Sequence, residues 1–294
     1  MLISAFPAEK IVTKYSIKPN RLLKHVLNIS IPFDNNSFCA GFELSAWRCE
    51  ALAENLIAWI SDYALKEDEL DVNHANSYVK LKQAAVRVYT SDNYQRRGEV
   101  GEILLHAICR DFFGTIPIAP RVFYLSSSND VVKSFDMAHV RYLGDGKFEL
   151  WLGEAKFYET RSDAVAAAIE SVNTHIEQGF LRNEKLIIGP QISKDIDYHA
   201  EIRELFASET SIDDLISAAV FPICVACDSP AAVKHKVIDK AYIDDLKPEL
   251  KALADKLEKS GLHHKIRILL IYVPLGSKAG LAETFDRKLK GLSA

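Results

Sequence analysis

Residues 135–158 constrain the fold more than any other stretch of this chain. Phe135-Asp136-Met137-Ala138-His139-Val140 is followed by a Gly144-Asp145-Gly146 turn and then by Leu150-Trp151-Leu152-Gly153-Glu154-Ala155-Lys156-Phe157-Tyr158. Glycine and aspartate tolerate the positive φ of tight turns, and the flanks are apolar and partly β-branched or aromatic, so the segment reads as a β-hairpin. Its register decides what the hairpin carries. An odd loop centred on Asp145 sets Tyr142 opposite Phe148, Val140 opposite Leu150, Ala138 opposite Leu152 and Asp136 opposite Glu154. Each pair then matches in character, apolar with apolar and acid with acid. A two-residue loop, Asp145-Gly146, slips the register by one and sends Asp136 to the face opposite Glu154. The matched pairs favour the odd loop. Lys156, two residues past Glu154, emerges on the same face.

Two carboxylates directly across a strand pair repel and call for a compensating cation. Mg²⁺, with Mn²⁺ as a substitute, suits the need, because it takes hard oxygen ligands and is ordinarily held by one or two carboxylates plus substrate phosphate. Asp136 and Glu154 are the candidate ligands, and Ala155 offers a backbone carbonyl as a third. Lys156 is placed to orient or deprotonate an attacking water and to offset charge on a phosphate. An acid-x-lysine tripeptide alone carries little weight. Glu249-Leu250-Lys251, Asp245-Leu246-Lys247 and Asp286-Arg287-Lys288 repeat it in charged, helical-looking segments. Glu154 and Lys156 differ because they interrupt an apolar strand, where charge is costly. The plain alternative is a strand end reaching solvent, and it leaves the facing Asp136 unexplained.

Upstream, Val100, Ile103, Leu104, Ala107 and Ile108 fall at helical spacing, so an amphipathic helix enters the core here. Glu99 and Glu102 share one of its faces. Glu102 is a candidate catalytic and metal-ligating acid, with Glu99 as the alternative; either is equally read as an ordinary boundary residue. Arg96 and Arg97 sit at the helix start, where the dipole disfavours cations. Phosphate binding accounts for them, as does a solvated pair. Together with Lys133 they are the candidate nucleic-acid contacts, and Arg87 and Arg110 extend the basic set.

An acidic helix of Gly-x-x-x-Glu type, then an Asp on one strand, then Glu-x-Lys on the next resembles the PD-(D/E)xK nucleases. Gly98 and Glu102 match the first element, Asp136 the second, and Glu154-Ala155-Lys156 the third; Phe135 stands where the superfamily has its proline. More narrowly, Arg97-Gly98-Glu99-Val100-Gly101-Glu102, Phe135-Asp136 and Gly153-Glu154-Ala155-Lys156-Phe157-Tyr158 resemble the HamA-type nuclease subunit of the Hachiman antiphage system. That resemblance implies a Mg²⁺-dependent deoxyribonuclease partnered by a HamB-type helicase. Two other readings stay open: an inactive nuclease-fold regulatory module, and an RNase using the same carboxylates. Sequence does not separate DNA from RNA, because a 2′-OH contact would come from residues that cannot be placed.

The rest of the chain sets bounds. With 294 residues and 48% apolar content it can bury a substantial core. No run of eighteen apolar residues occurs, so no membrane span is expected, and Met1–Lys10 lacks the pattern of a signal peptide. Five cysteines fit a reducing cytoplasm, and Cys224-Val225-Ala226-Cys227 reads as a buried strand end rather than a metal pair. A net charge of −4 argues mildly against autonomous DNA binding and fits delivery by a partner. Lys278-Ala279-Gly280 lacks a Walker pattern, so no ATPase is expected. Strands are expected at 26–31, 121–125, 185–188, 219–225 and 266–273. Helices are expected at 46–64 (Ser45 as cap), 75–90, 163–182, 198–217, 243–259 and from 281. The alternation predicts an α/β fold, a restriction-endonuclease-like mixed sheet flanked by helices. Residues 1–90 form an N-terminal α+β extension offered for partner contact, and 91–294 the nuclease-like core.

Overall fold

The computed structural model describes residues 17–89, 98–119, 134–144, 147–194, 196 and 198–293. Among them the N-terminal part supplies strands β1 (Lys24–Ile29) and β2 (Asp34–Cys39), a small ribbon β3 (Phe42–Glu43) and β4 (Ala46–Trp47), and helices α1 (Cys49–Ala64) and α2 (Ser77–Val88). Helix α3 (Glu99–Phe112) leads into β5 (Ile116–Ala119), β6 (Met137–Gly144), β7 (Lys147–Tyr158) and α4 (Arg161–His175). Then follow α5 (Gln178–Ile188), α6 (His199–Leu205), α7 (Ile212–Ala218), β8 (Ala219–Asp228), α8 (Pro230–Lys234), α9 (Lys240–Lys259), β9 (Arg267–Leu275) and α10 (Lys278–Ser293).

Seven strands join in one mixed sheet, in the order β1-β2-β9-β8-β7-β6-β5. The central pairs β2–β9, β9–β8 and β8–β7 are parallel; β7–β6, β6–β5 and β1–β2 are antiparallel. Helices covering both faces explain why β8 and β9 are near-continuous apolar runs, buried almost end to end. The expected α/β class, a mixed sheet flanked by helices, is what the chain forms. On one face Leu150 and Leu152 pack with residues of α4, α5 and α9; on the other Trp151, Ala155 and Phe157 pack with α1, α3 and α10. No described helix is long and apolar enough to cross a membrane.

Several expectations are corrected. Residues 185–188 are the last turn of α5, not a strand: Leu181 and Ile188 bury one side at helical spacing. The single helices expected at 163–182 and 198–217 are each two shorter ones. Ser45 does not cap α1. It sits at φ 65° in the turn between β3 and β4, and Arg48 occupies the cap position. Strand β2 was not expected, because Asp34-Asn35-Asn36-Ser37 is polar; Asn35 Nδ2 donates to the carbonyls of Ile29 (2.7 Å) and Phe33 (2.6 Å), and Asn36 Oδ1 accepts from Asn28 Nδ2 (3.0 Å). The strand expected at 121–125 lies outside the described residues.

Candidate metal and phosphodiester site

The hairpin register is the odd one. Met137 pairs with Gly153, Ala138 with Leu152, Val140 with Leu150 and Tyr142 with Phe148. Gly144 nevertheless pairs with Lys147, three residues on, and the register shifts between Tyr142 and Gly144. A bulge thus reconciles a short connection with the odd register, and Gly144 takes φ 90°, which glycine adopts without strain.

Asp136 lies just before β6, where the ladder ends. Its amide donates to the Gly153 carbonyl (2.9 Å), and its Oδ2 accepts the Ala155 amide (2.8 Å). A strand residue's N–H and C=O face the same neighbour, so the Ala155 carbonyl faces the Asp136 side too. Asp136 is buried, as is Glu154, which is 3% exposed.

Glu154 and Lys156 share the sheet face covered by α4. Glu154 Oε1 accepts from Lys156 Nζ and from Ser171 Oγ of α4 (2.7 Å). Its Oε2 lies 3.2 Å from Nδ1 of His175, one helical turn after Ser171. Burial pushes the Glu154 carboxyl up, but His175 and Lys156 outweigh it and hold it at about 2. Burial lowers Lys156, yet Glu154 and Asp136 more than offset this and raise it above the ordinary lysine value. The resting pair is therefore an ionised carboxylate and an ammonium. Helix α4 is fixed by Thr160, whose Oγ1 accepts the Asp163 amide (3.2 Å) as an N-cap.

The donor set suits a hard divalent cation. Two buried carboxylates and a main-chain carbonyl are the complement Mg²⁺ ordinarily takes, and Glu154 Oε2 is buried without a hydrogen bond. Among the described residues, no group of three or more His, Cys, Asp or Glu side chains gathers as a metal cluster.

Helix α3 packs on the other face of the sheet. Gly101 faces Phe157 and Ala155, a close approach in which an added Cβ would stand 3.0 Å from Phe157 Cβ. Glu102 accepts a 2.5 Å hydrogen bond from Tyr63 of α1, and Glu99 begins the helix. The structure thus gathers Asp136, Glu154, Ala155 and Lys156, and sets Glu102 and Glu99 on a helix across the sheet from Glu154. Arg96, Arg97 and Lys133 lie outside the described residues. Arg87 and Arg110 are not part of an open basic patch. Arg87 forms a bidentate pair with Glu69 (2.6 Å each), and Arg110 is buried against Asp62.

That second pair belongs to a buried chain behind β6. Asp62 accepts from His106 Nε2 (2.6 Å), His106 Nδ1 meets His139 Nε2 (3.1 Å), and His139 Nδ1 meets Thr115 Oγ1 (2.8 Å). Burial, His106 and Arg110 hold His139 well below the usual histidine range, so it is neutral. The carboxylate at one end and the hydroxyl at the other set one consistent run of donors: Thr115 to His139, His139 to His106, His106 to Asp62. The network ties β6 to α1 and α3. Ser171 and His175 are the site residues that sequence reasoning missed. Their i, i+4 spacing was visible, but nothing local pointed it at Glu154. Cys224 and Cys227 are buried in β8; burial pushes both thiols up, that of Cys227 to about 12.

The fold defines an α/β protein built on a mixed seven-stranded sheet. The HamA family model matches residues 20–289, and the chain belongs to the HamA family, that of Hachiman antiphage defence. No curated protein and no solved structure matches it.

Proposed function

We propose that the chain is a PD-(D/E)xK-type, Mg²⁺-dependent deoxyribonuclease of antiphage defence, controlled by a helicase partner of HamB type. The observation that carries the reading is the hairpin register, which sets the Asp136 carboxylate on the Ala155 amide beside the Glu154–Lys156 pair. Asp136, Glu154 and the Ala155 carbonyl would hold the cation. When bound, the ion supplies Lewis acidity to a phosphoryl oxygen and a water of lowered pKa.

The protein's own groups do the rest. Glu154 remains ionised and serves as an oxygen ligand. Lys156, held in its ammonium form, is a donor: it orients the attacking water and offsets charge that grows on the phosphate. Family membership in an antiphage system supports nucleic acid as the target. The slightly acidic balance, a net charge of −4, supports delivery of DNA by a partner.

The test is plasmid degradation by wild type, Glu154→Ala and Lys156→Ala, with Mg²⁺ or with chelator, alone and with the cognate helicase. The expected result is metal-dependent cutting by wild type and loss in both variants. Equal cutting by all three rejects the site. An RNA substrate in parallel decides between DNase and RNase.

A further inference from the structure

Ser171 and His175 lie one turn apart on α4, and both meet Glu154. Ser171 donates to Oε1, the oxygen that Lys156 also holds. His175 faces the other oxygen. Its ring is 5% exposed, stacked on Phe180 (4.4 Å between centroids, 23° between planes) and set against Phe135 (4.8 Å). Those contacts account for an aromatic ring at this position but not for a histidine. A phenylalanine would fill the same space without burying two ring nitrogens, and buried polar atoms are costly unless bonded. His175 Nδ1 and Glu154 Oε2 are both buried without a hydrogen bond, and they stand 3.2 Å apart. A small turn of either group pairs them. Phe180 stacks on the ring and Phe135 meets it at 64°, so the ring is held and the carboxylate is the group that turns.

We propose that His175 is a positioning residue for the metal site: with Ser171 it fixes the plane of the Glu154 carboxylate, so that one face of that group is presented to a divalent cation beside Asp136. The proposal rests on the nuclease reading. Ser171 and Lys156 occupy Oε1 and His175 steadies Oε2 from the α4 side, which leaves one lone pair of Oε2 for a cation. Ligating carboxylates are commonly held by such outer partners, and loss of one costs roughly 10–100-fold in metal affinity or activity.

The experiment is titration calorimetry of Mn²⁺ into the full chain, as wild type, Glu154→Ala, His175→Phe, His175→Asn and Ser171→Ala, with circular dichroism to establish the fold of each. His175→Phe keeps the stacked ring and removes the donor. His175→Asn brings an amide N–H close to the Nδ1 position. The expected result is that Glu154→Ala abolishes Mn²⁺ binding, His175→Phe weakens it about 10–100-fold and His175→Asn recovers most of the loss. Ser171→Ala, which leaves the aromatic cluster untouched, weakens binding in the same direction. The Mg²⁺ concentration for half-maximal cleavage shifts in parallel. Wild-type affinity in folded His175→Phe or Ser171→Ala overturns the proposal, as does greater weakening by Asn than by Phe, which marks a packing role. Absence of binding by wild type, or binding that survives in Glu154→Ala, fails the nuclease reading itself.

Discussion

Gly153 lies where the hairpin packs on α3, and replacing it tests the scaffold under the site without touching a polar group. A Cβ added there would stand 2.8 Å from Leu105 Cδ2, 3.1 Å from Met137 Cε and 3.2 Å from Met137 Cβ. Ordinary carbon–carbon contact is about 3.5–4.0 Å, so the Leu105 methyl must retreat by roughly 0.7 Å or more. Leu105 and Met137 are both buried, which leaves little room for that retreat. Overpacking of this kind costs about 1–3 kcal/mol, so Gly153→Ala should lower Tm by roughly 2–10 °C and reduce the urea midpoint at unchanged slope. Gly291→Ala is the counterpart. It lies in α10 with nothing within 4 Å of the added carbon. Alanine is the better helix former there, by up to about 1 kcal/mol, so this variant should be neutral or stabilised. The same chemical change thus has opposite signs at two positions. A Gly153→Ala protein as stable as wild type, or shifted like Gly291→Ala, would refute the close packing of β6, β7 and α3.

Four further outcomes are expected. Lys156→Met, which keeps the stem and removes the charge, should fold and lose about 10²-fold or more of any cleavage rate, read in a single-turnover assay. In chelator, Glu154 should contribute a pH-dependent stability. Its folded-state pKa of about 2 lies below that of an unfolded glutamate, so the contribution is present above about pH 4.3 and lost as pH falls toward 2. The urea midpoint of Glu154→Gln should lack that slope. Asp62→Ala leaves Arg110 buried without its carboxylate and should cost about 3–5 kcal/mol in denaturant unfolding. Thiol labelling of the native protein at pH 8 should spare the buried Cys39, Cys109, Cys224 and Cys227, with Cys49 reacting first; early labelling of Cys224 would contradict the buried β8.

What could be read from the chain follows the reach of each signal. Register was legible because side-chain pairing across two adjacent strands is local: Val140 with Leu150 and Ala138 with Leu152 match in only one alignment. The parallel centre was legible as apolar runs at 219–225 and 266–273, which fit a strand buried on both faces. Lys185-Leu186-Ile187-Ile188 was misread because four apolar-rich residues before Gly-Pro suit a strand or a helix end equally. Leu181, one heptad upstream of Ile188, decides it. Strand β2 was hidden because its buried side chains include Asn35 and Asn36, held by hydrogen bonds that only the fold supplies. Ser171 and His175 were hidden for the same reason. Their shared helix face is local information, but the carboxylate they meet is 17 and 21 residues away on another element. Arg110 was misjudged because Asp62, 48 residues away, takes its charge.

The central claim is that the end of the hairpin is a divalent-cation site. Diffraction from crystals soaked in Mn²⁺, recorded at a wavelength where manganese scatters anomalously, tests it most directly. The account predicts an anomalous peak with ligand oxygens of Asp136, Glu154 and the Ala155 carbonyl at roughly 2.0–2.2 Å. Such a peak should vanish in Glu154→Ala. A chain that cleaves DNA in Mn²⁺ while its only peak lies away from Asp136 and Glu154 would contradict the claim.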